Sequence, residues 1–284
     1  MHKLKLLSLS IITLVTLSAC FNRAQVTPLA PADKPTLLWR IDKGENTKGY
    51  LFGTMHIIAE KYYYFPDNLE QLILDADKVV LEIGEKPNVF EVVRLMRSTD
   101  GNILDKMTQA QRDSVYNFID KEMGKNPEKI APRLGGMKPM MLQQFLASAA
   151  FPKKFESYEE DIYKLQNKAK APFVGLETME EQIALLDNAS TKENIESIMA
   201  TVRDIEGARA EIEKLSKLHR EGDVEALYEL INNHPEMDGL NMDDLLLKRN
   251  ANWIPKLTQI MESESAFIAV GAGHLGGEQG VINL

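Results

Sequence analysis

Two histidines in the sequence share a short motif whose residue types could support chemistry. Gly53-Thr54-Met55-His56 and Gly271-Ala272-Gly273-His274 both read Gly-x-x-His, and each follows an apolar segment. A glycine at a strand end can adopt a positive φ angle and allow a sharp turn, so we expect each histidine to point back over its strand. Two neutral imidazoles and a carboxylate suit a divalent transition metal that keeps one position open for water.

Two glutamates also occur where apolar segments end. Glu82 lies within the segment 79–83, and Glu177 directly follows the segment 173–176. Ligands bind at the carboxyl edge of open α/β sheets, so we expect both carboxylates near the two histidines. Glu82 would complete a metal site, and Glu177 would act as general base on the bound water or as a further ligand. Without a metal, the same four groups could still do acid–base work.

Each of these features also has a structural explanation. A single Gly-x-x-His motif arises often by chance, although two that leave separate apolar segments are more specific. Burying the Glu82 charge is costly unless it is paired, so this residue could instead face water at a strand edge. Glu177 could merely precede the cap of the next helix.

Arg249 is a candidate because it shares one helical face with mostly apolar residues. That face is formed by Leu246, Arg249, Asn250, Trp253, Leu257 and Ile260. A buried guanidinium requires a carboxylate or a bound substrate as partner, whereas a guanidinium at the edge of the face could extend into solvent. Asp161 is a candidate for substrate binding, although a carboxylate in a first helical turn also favours the helix dipole. His219 and His234 lie in a charged helical stretch and are predicted on the surface.

Short apolar segments separated by stretches with helical spacing predict an α/β fold with a central mixed sheet flanked by helices. The predicted strands are residues 37–41, 49–52, 78–83, 172–176 and 266–270. Ser157 with Glu160, Thr178 with Glu181, and Ser190 with Glu193 have the spacing of capping boxes at helix starts. Residues 190–263 have no strand pattern and are predicted to form a helical insertion.

The N-terminus has the pattern of a bacterial lipoprotein signal. Lys3 and Lys5 precede the mostly apolar run 6–19, which is shorter than the roughly 20 residues that span a bilayer. The run ends Leu17-Ser18-Ala19-Cys20, which resembles a lipobox, where the cysteine is acylated and the chain is cut before it. The alternative is an ordinary secretory signal with a chance cysteine. The sequence thus predicts a signal over 1–19, a flexible lipid-anchored tether over 20–35, and a domain over 36–284.

Composition limits the possible chemistry and partners. Cys20 is the only cysteine, so lipidation would leave no thiol nucleophile and no disulfide. Phe21 stands where an aspartate would often signal inner-membrane retention, which favours the outer membrane if the organism is Gram-negative. The net charge is -9, and removing Lys3 and Lys5 leaves 31 basic against 42 acidic residues, a net charge of -11. Because Lys and Arg dominate phosphate binding, we expect no nucleic-acid partner.

Taken together, these motifs resemble those of the TraB/GumN family, which includes the Tiki-type metalloproteases. The resemblance extends from about Leu38 to the end of the chain. It is carried by residues 50–56, Leu81-Glu82, Asp161, residues 173–178 with Gln182, Arg249-Asn250 with Trp253, and residues 269–275.

The resemblance implies the α/β fold shared with erythromycin-esterase-like and haem-binding lipoprotein relatives, and a metal-dependent hydrolase with peptidase activity in the Tiki branch. By position, His56 and His274 match the histidines expected at the metal, and Glu82 matches the family's acidic residue. Family members usually continue past the second motif through a helix and a final strand. This chain stops at Leu284, so we expect a truncated C-terminus or an unpaired sheet edge.

The sequence therefore predicts a lipid-anchored, metal-dependent hydrolase that acts on peptide or protein substrates in the cell envelope. His56, Glu82 and His274 would hold a divalent ion such as Mn, Co or Zn. Glu177 would be the base or a further ligand. Arg249 would orient the substrate or stabilise developing negative charge.

Two other functions stay open at this point. A haem-binding lipoprotein is among the relatives of the fold, so the same edge could capture haem or a metal ion without turnover. A catalytically inactive protein could instead use the acidic helical range 190–263 to contact an envelope partner.

Overall fold

The structure is a computed structural model that describes residues 24–30, 34–84, 88–169, 172–185, 190–232 and 243–284. The predicted signal, Cys20 and His234 lie outside these described residues. None of the helices in the described ranges is long and apolar enough to cross a membrane.

A six-stranded mixed sheet forms the centre of the molecule. Its strands, in spatial order, are β1 (Gln25–Pro28), β2 (Leu38–Lys43), β3 (Asn46–Thr54), β8 (Ala266–Gly271), β5 (Lys78–Ile83) and β7 (Phe173–Glu177). A separate antiparallel pair is formed by β4 (Ile58–Ala59) and β6 (Phe155–Glu156). With its flanking helices, the sheet confirms the predicted α/β fold.

Four parallel strands bring the predicted site residues to one edge. β3, β8, β5 and β7 are parallel neighbours, whereas β1 and β2 are antiparallel to the strands beside them. Thr54 pairs with Gly271, and Ile83 pairs with Glu177, so the carboxyl ends of these strands are aligned. Five of the six residues of β8 are buried, as an apolar strand between two neighbours requires.

The first strand corrects the predicted tether. Gln25–Pro28 lies within the range 20–35 that we expected to be flexible, yet it pairs with β2 from Gln25 opposite Asp42 to Pro28 opposite Trp39. These four residues show little apolar periodicity of their own, and the exposed backbone of β2 supplies the hydrogen-bonding partner. The domain therefore starts nearer to Cys20 than predicted.

Eleven α-helices lie in the described residues and flank the sheet. They are α1 (Leu69–Leu74), α2 (Val89–Leu95), α3 (Gln109–Met123), α4 (Pro127–Leu134), α5 (Pro139–Ala147), α6 (Tyr158–Ala169), α7 (Met179–Leu185), α8 (Thr191–Arg203), α9 (Ile205–Glu221), α10 (Val224–Asn232) and α11 (Lys248–Ser263). A π-turn at Asp243–Leu247 precedes α11, and 3₁₀ turns occur at Glu60–Tyr62, Ile103–Lys106, Ser148–Ala150 and Ala272–His274.

Two of the predicted capping boxes are confirmed. Ser190 accepts a hydrogen bond from the Glu193 N–H while the Glu193 side chain accepts from the Ser190 N–H, which fixes the start of α8. Thr178 and Glu181 exchange the same two bonds before α7. At α6, the Ser157 hydroxyl donates to Glu159, a residue that was not a predicted partner.

The predicted helical insertion at 190–263 divides between two hydrophobic cores. One core surrounds the sheet and includes Leu227 of α10 and Trp253 of α11. The other is helical and joins α8 to α3 and α5 through buried residues such as Ile198, Ile119 and Leu142. The insertion is thus helical as predicted within the described residues, but it is not one unit that caps the sheet.

Candidate active site

The first Gly-x-x-His motif places His56 just beyond β3, opposite the start of α6. Nδ1 of His56 lies 2.9 Å from Oε1 of Glu159. The same carboxylate accepts hydrogen bonds from the Thr54 hydroxyl at 2.6 Å and the Ser157 hydroxyl at 3.2 Å. Since an ionised carboxylate is an acceptor only, His56 donates its Nδ1–H to Glu159. The three donors fix the carboxylate, and the carboxylate fixes the imidazole.

His56 favours the protonated form. The hydrogen bond with Glu159 outweighs the desolvation of the ring and raises the pKa of His56 to about 9, with further contributions from the charges of Glu159 and Glu82. The side chain of His56 is 71% exposed, so solvent screens part of this attraction. The same pairing lowers the pKa of Glu159 against the effect of its own burial. Together the two residues form a charged dyad that solvent can reach.

A cavity of about 170 Å³ lies between this dyad and the end of β5. Polar groups from four parts of the chain face it: the end of β3, the end of β5, α6 and α7. Its lining comprises His56, Glu82, Glu159, Tyr163 and Gln182, together with Leu81, Ile83 and Ala269. Two carboxylates and an imidazole around a small cavity at the carboxyl ends of strands form an arrangement suited to proton transfer.

Glu82 lies on the far side of the cavity, where it is ionised and only 11% of its side chain is exposed. Its Oε1 accepts the Gly271 N–H at 2.8 Å, and its Oε2 accepts from Gln182 at 3.1 Å and from Arg249 Nη2 at 2.5 Å. Burial alone would raise the pKa of Glu82, but attraction to His274 in its protonated form at low pH, to Arg249 and to His56 lowers it to about 2. The expectation that Glu82 faces a paired site, rather than water, is confirmed by these contacts.

Arg249 connects the two predicted glutamates. Its Nε lies 3.0 Å from both oxygens of Glu177, which also accepts the Trp253 indole N–H at 2.7 Å. Its Nη1 donates to the Leu245 carbonyl. The side chains of Arg249 and Glu177 are only 13% and 10% exposed, so this guanidinium is not at a solvent-facing edge and has a carboxylate as one of the two expected kinds of partner. Hydrogen bonds to carboxylates hold this guanidinium as a positioning group.

The second Gly-x-x-His motif fixes a neutral histidine. The Asn250 amide nitrogen donates to the carbonyls of His274 and Gln279, so its Oδ1 must accept from His274 Nδ1–H at 2.7 Å. Nε2 of His274 is then a lone pair, and it accepts from Arg249 Nη1 at 3.1 Å. Burial lowers the pKa of His274 to about 4, and the charges of Arg249 and His56 act in the same direction.

These contacts test whether the predicted ligands fit a divalent ion. His274 has the neutral form and the amide-bound ring N–H that metal-ligating histidines show. However, Arg249 occupies both its Nε2 and Glu82, while His56 is bound to Glu159. A guanidinium at this place repels a dication, and the described residues contain no group of three such side chains that could hold a metal. In this geometry, His56, Glu82 and His274 do not form a metal site.

The two motif glycines serve close packing rather than a turn through positive φ. Among the described glycines, positive φ angles occur at Gly44, Gly101, Gly124, Gly222 and Gly277, so the expectation for Gly53 and Gly271 is wrong. A Cβ on Gly53 would lie 2.7 Å from the Leu275 side chain. A Cβ on Gly271 would lie 3.2 Å from Oε1 of Glu82, the atom that the Gly271 N–H binds. Glycine therefore lets the chain approach the site closely.

Of the predicted site residues, only His56 and Glu82 line the cavity, while Arg249, His274, Glu177 and Asp161 lie outside its lining. Glu177 sits behind Arg249 and contacts it and Trp253. Asp161 accepts hydrogen bonds from the Tyr63 hydroxyl at 2.5 Å and from Lys164 at 2.7 Å. The roles of base for Glu177 and of substrate binding for Asp161 stay predictions that the cavity geometry does not favour.

His219 corrects the prediction of a surface position. It is only 3% exposed, lies 5.0 Å from the Tyr158 ring between centroids, and its Nε2 donates to the Gly53 carbonyl at 3.1 Å. Burial lowers the pKa of His219 to about 4. It thus supports the strand end that leads into the first motif.

Glu159 is the main residue that the sequence analysis missed. It stands beside Glu160 and Asp161, and all three are acidic residues in the first turn of α6. A signal was present, since Glu159 lies three residues before the buried Ile162 and four before Tyr163, and such positions share a helical face. That spacing indicates that Glu159 is the acidic residue turned toward the sheet.

The chain matches the model of a known protein family. The model of the TraB/PrgY/gumN family matches residues 37–284, a range that includes both Gly-x-x-His motifs and every residue of the candidate site. No curated protein matches the chain. No solved structure matches it either.

Proposed function

Since the chain belongs to the TraB/PrgY/gumN family, we propose that it is a hydrolase of the cell envelope, anchored by lipid on Cys20, that cleaves peptide bonds. The observation that carries the catalytic part is the His56–Glu159 dyad, whose Nδ1–Oε1 distance is 2.9 Å, at the mouth of a cavity that also exposes Glu82. The lipobox at Cys20 and the export signal before it support the location.

The dyad has the parts of a base that activates water. Glu159 holds Nδ1–H of His56 and stabilises the imidazolium, which leaves Nε2 to exchange a proton. In its neutral form, His56 takes a proton from the attacking water. The imidazolium then returns a proton to the leaving amine. Because the pKa of His56 is raised to about 9, the neutral form increases as the pH rises toward that value.

Metal dependence is the competing version of the same function. The orientation of His274, with its Nδ1–H bound to Asn250, favours it. The position of Arg249 against Glu82 and His274 opposes it. Haem capture has less support, because the cavity of about 170 Å³ is smaller than the roughly 300 Å³ at which pockets for drug-sized ligands begin.

Hydrolysis of a defined peptide mixture by the purified mature protein tests the proposal. The assay counts new amino termini after chelator treatment, and again after loading with Mn²⁺, Co²⁺ or Zn²⁺. We expect the chelated protein to cleave, and His56→Gln or Glu159→Gln to lower kcat/KM by about 10²–10⁴-fold. We also expect Glu159→Gln to move the pH dependence toward lower pH, since it removes the partner that raises the pKa of His56.

Glu160→Gln is the matched control for Glu159→Gln, because it makes the same change at an exposed carboxylate in the first turn of α6. We expect this control to keep kcat/KM within about twofold of the parent. Activity that needs an added metal and is lost in His274→Ala would overturn the dyad in favour of the metal version. The absence of cleavage under all conditions would overturn the hydrolase proposal itself.

A further inference from the structure

The candidate site lies where the parallel strands end, and the start of the domain lies at the opposite end of the sheet, where β3 begins. We call this opposite end the lower edge. β1 is antiparallel to β2, and β2 is antiparallel to β3, so β1 and β3 run in the same direction. Gln25 at the start of β1 pairs with Asp42, which pairs with Thr47 near the start of β3. His56 follows the other end of β3. Thr47 lies near the start of β3 and Thr54 at its end, so the two ends of the sheet are seven residues, or about 23 Å, apart along the strand.

The connection from Cys20 to this lower edge is short. Ala24 directly precedes β1, and four residues of extended chain span at most about 14 Å. For the site to face the bilayer that holds Cys20, this segment would have to pass the whole height of the sheet. Its maximum length is less than the sheet height of about 23 Å. Because β1 is paired with β2, the domain cannot turn freely relative to the membrane, as it could on a flexible tether over 20–35.

A groove at the same lower edge offers a surface for lipid headgroups. This basal groove has a volume of about 510 Å³ and is lined by Ala24, Val26, Ile41, Lys43, Lys48, Thr258, Met261, Glu262 and residues 282–284. It begins at Ala24, the residue nearest to Cys20 in the described chain. Its charged residues are two lysines and one glutamate, so the lysines can contact anionic headgroups with one carboxylate opposing them. Its apolar residues match the boundary between headgroups and acyl chains.

We infer that the basal groove faces the membrane that holds Cys20 and that the candidate site faces the aqueous compartment. This inference rests on the proposed lipid anchor. It limits the proposed substrates to polypeptides that reach the site from the aqueous compartment, on the side of the domain away from the membrane that holds Cys20. Peptide bonds within the supporting bilayer lie on the wrong side of the domain.

Energy transfer to labelled vesicles tests the orientation. The protein is isolated from cells in lipidated form, so Cys20 carries no free thiol, and a single new cysteine takes the donor dye. Glu45→Cys labels the exposed hairpin between β2 and β3, and Glu60→Cys labels an exposed position beyond His56. With an acceptor on the lipid headgroups, we expect at least twofold higher transfer efficiency from residue 45 than from residue 60.

A variant with 20 Gly and Ser residues inserted between Phe21 and Ala24 is the control for the short connection. The insertion should reduce the difference between the two labels, and an unchanged difference would overturn the role of the connection. Sedimentation with vesicles is measured first. Protein that does not sediment contradicts the anchor and this inference but leaves the peptidase assay unaffected. Vesicle-bound protein with equal or reversed transfer overturns the orientation alone.

Discussion

The two Gly-x-x-His motifs place their histidines in opposite environments. Both follow neighbouring parallel strands, β3 and β8, at the same edge of the sheet. The side chain of His56 is 71% exposed and its pKa is raised to about 9, whereas that of His274 is 5% exposed and its pKa is lowered to about 4. The motif positions an imidazole, but the partners of the imidazole decide its charge.

The difference has a simple electrostatic cause. His56 donates to the carboxylate of Glu159, which favours the cation. His274 is buried, and its Nε2 accepts from Arg249, a fixed cation that disfavours a second charge. Groups whose pKa values are driven apart in this way can divide proton transfer and positioning between them. Under the proposed function, His56 transfers protons, while His274 accepts a hydrogen bond from Arg249 and helps to position that guanidinium.

Removing the Arg249 guanidinium should have the largest effect on stability. Arg249→Met leaves Glu82 and Glu177 buried without their guanidinium, and we expect the free energy of unfolding to fall by about 3–5 kcal/mol. Urea denaturation measures the change. His56→Gln, which breaks an exposed pair, should cost less than about 1 kcal/mol. Equal losses in the two variants would contradict the difference between the largely buried ion pairs of Arg249 and the exposed pair of His56.

Acid should destabilise the protein through its buried neutral histidines. The pKa values of His274 and His219 are lowered to about 4 in the folded protein, against about 6.5 when unfolded. The unfolded chain then binds more protons, so stability falls as the pH drops from 6.5 to 4. His56 behaves in the opposite way, and its stabilising contribution is lost as the pH rises from 6.5 through about 9.

His219→Gln tests the acid effect while keeping a donor for the Gly53 carbonyl. We expect the stability lost between pH 7 and pH 5 to be smaller in this variant by about 1–2 kcal/mol. Urea denaturation at both pH values checks this. An unchanged loss would show that His219 titrates near its ordinary pKa in the folded protein.

Substituting alanine for Gly53 should lower the free energy of unfolding more than the same substitution at Gly271. Gly53→Ala places a Cβ 2.7 Å from the Leu275 side chain and 3.2 Å from Ala272, so we expect a loss of about 1–3 kcal/mol. Gly271→Ala meets Oε1 of Glu82 at 3.2 Å, and a loss of about 1 kcal/mol or less is expected. Thermal unfolding of both variants ranks them, and the reverse order would contradict the packing described for the motifs.

The sequence predicted the central strands well because their apolar runs are short and clearly bounded. Residues 78–83 match β5 in full, and residues 266–270 match all but the last residue of β8. β1 was missed because four residues with weak periodicity become a strand only through pairing with β2. The residues of β2 that pair with β1 lie more than ten positions further along the chain, so the local sequence around β1 carries no information about this pairing.

The candidate site shows the same limit. Glu82, Glu177, Arg249 and His274 were all predicted from their positions at strand ends or on a helical face, and the structure brings them into contact. The pairing of His56 with Glu159 joins residues 103 positions apart. Nothing near His56 in the sequence indicates which carboxylate it meets, so the charge on each histidine could not be predicted.

A pH titration of the two histidines by NMR tests the central claim most directly. The mature protein with isotope-labelled histidine gives separate ring signals, which His56→Gln and His274→Gln assign. We expect His56 to titrate with a pKa near 9 and His274 with a pKa near 4. Titration of both rings within one unit of 6.5, or in the reverse order, would contradict the account.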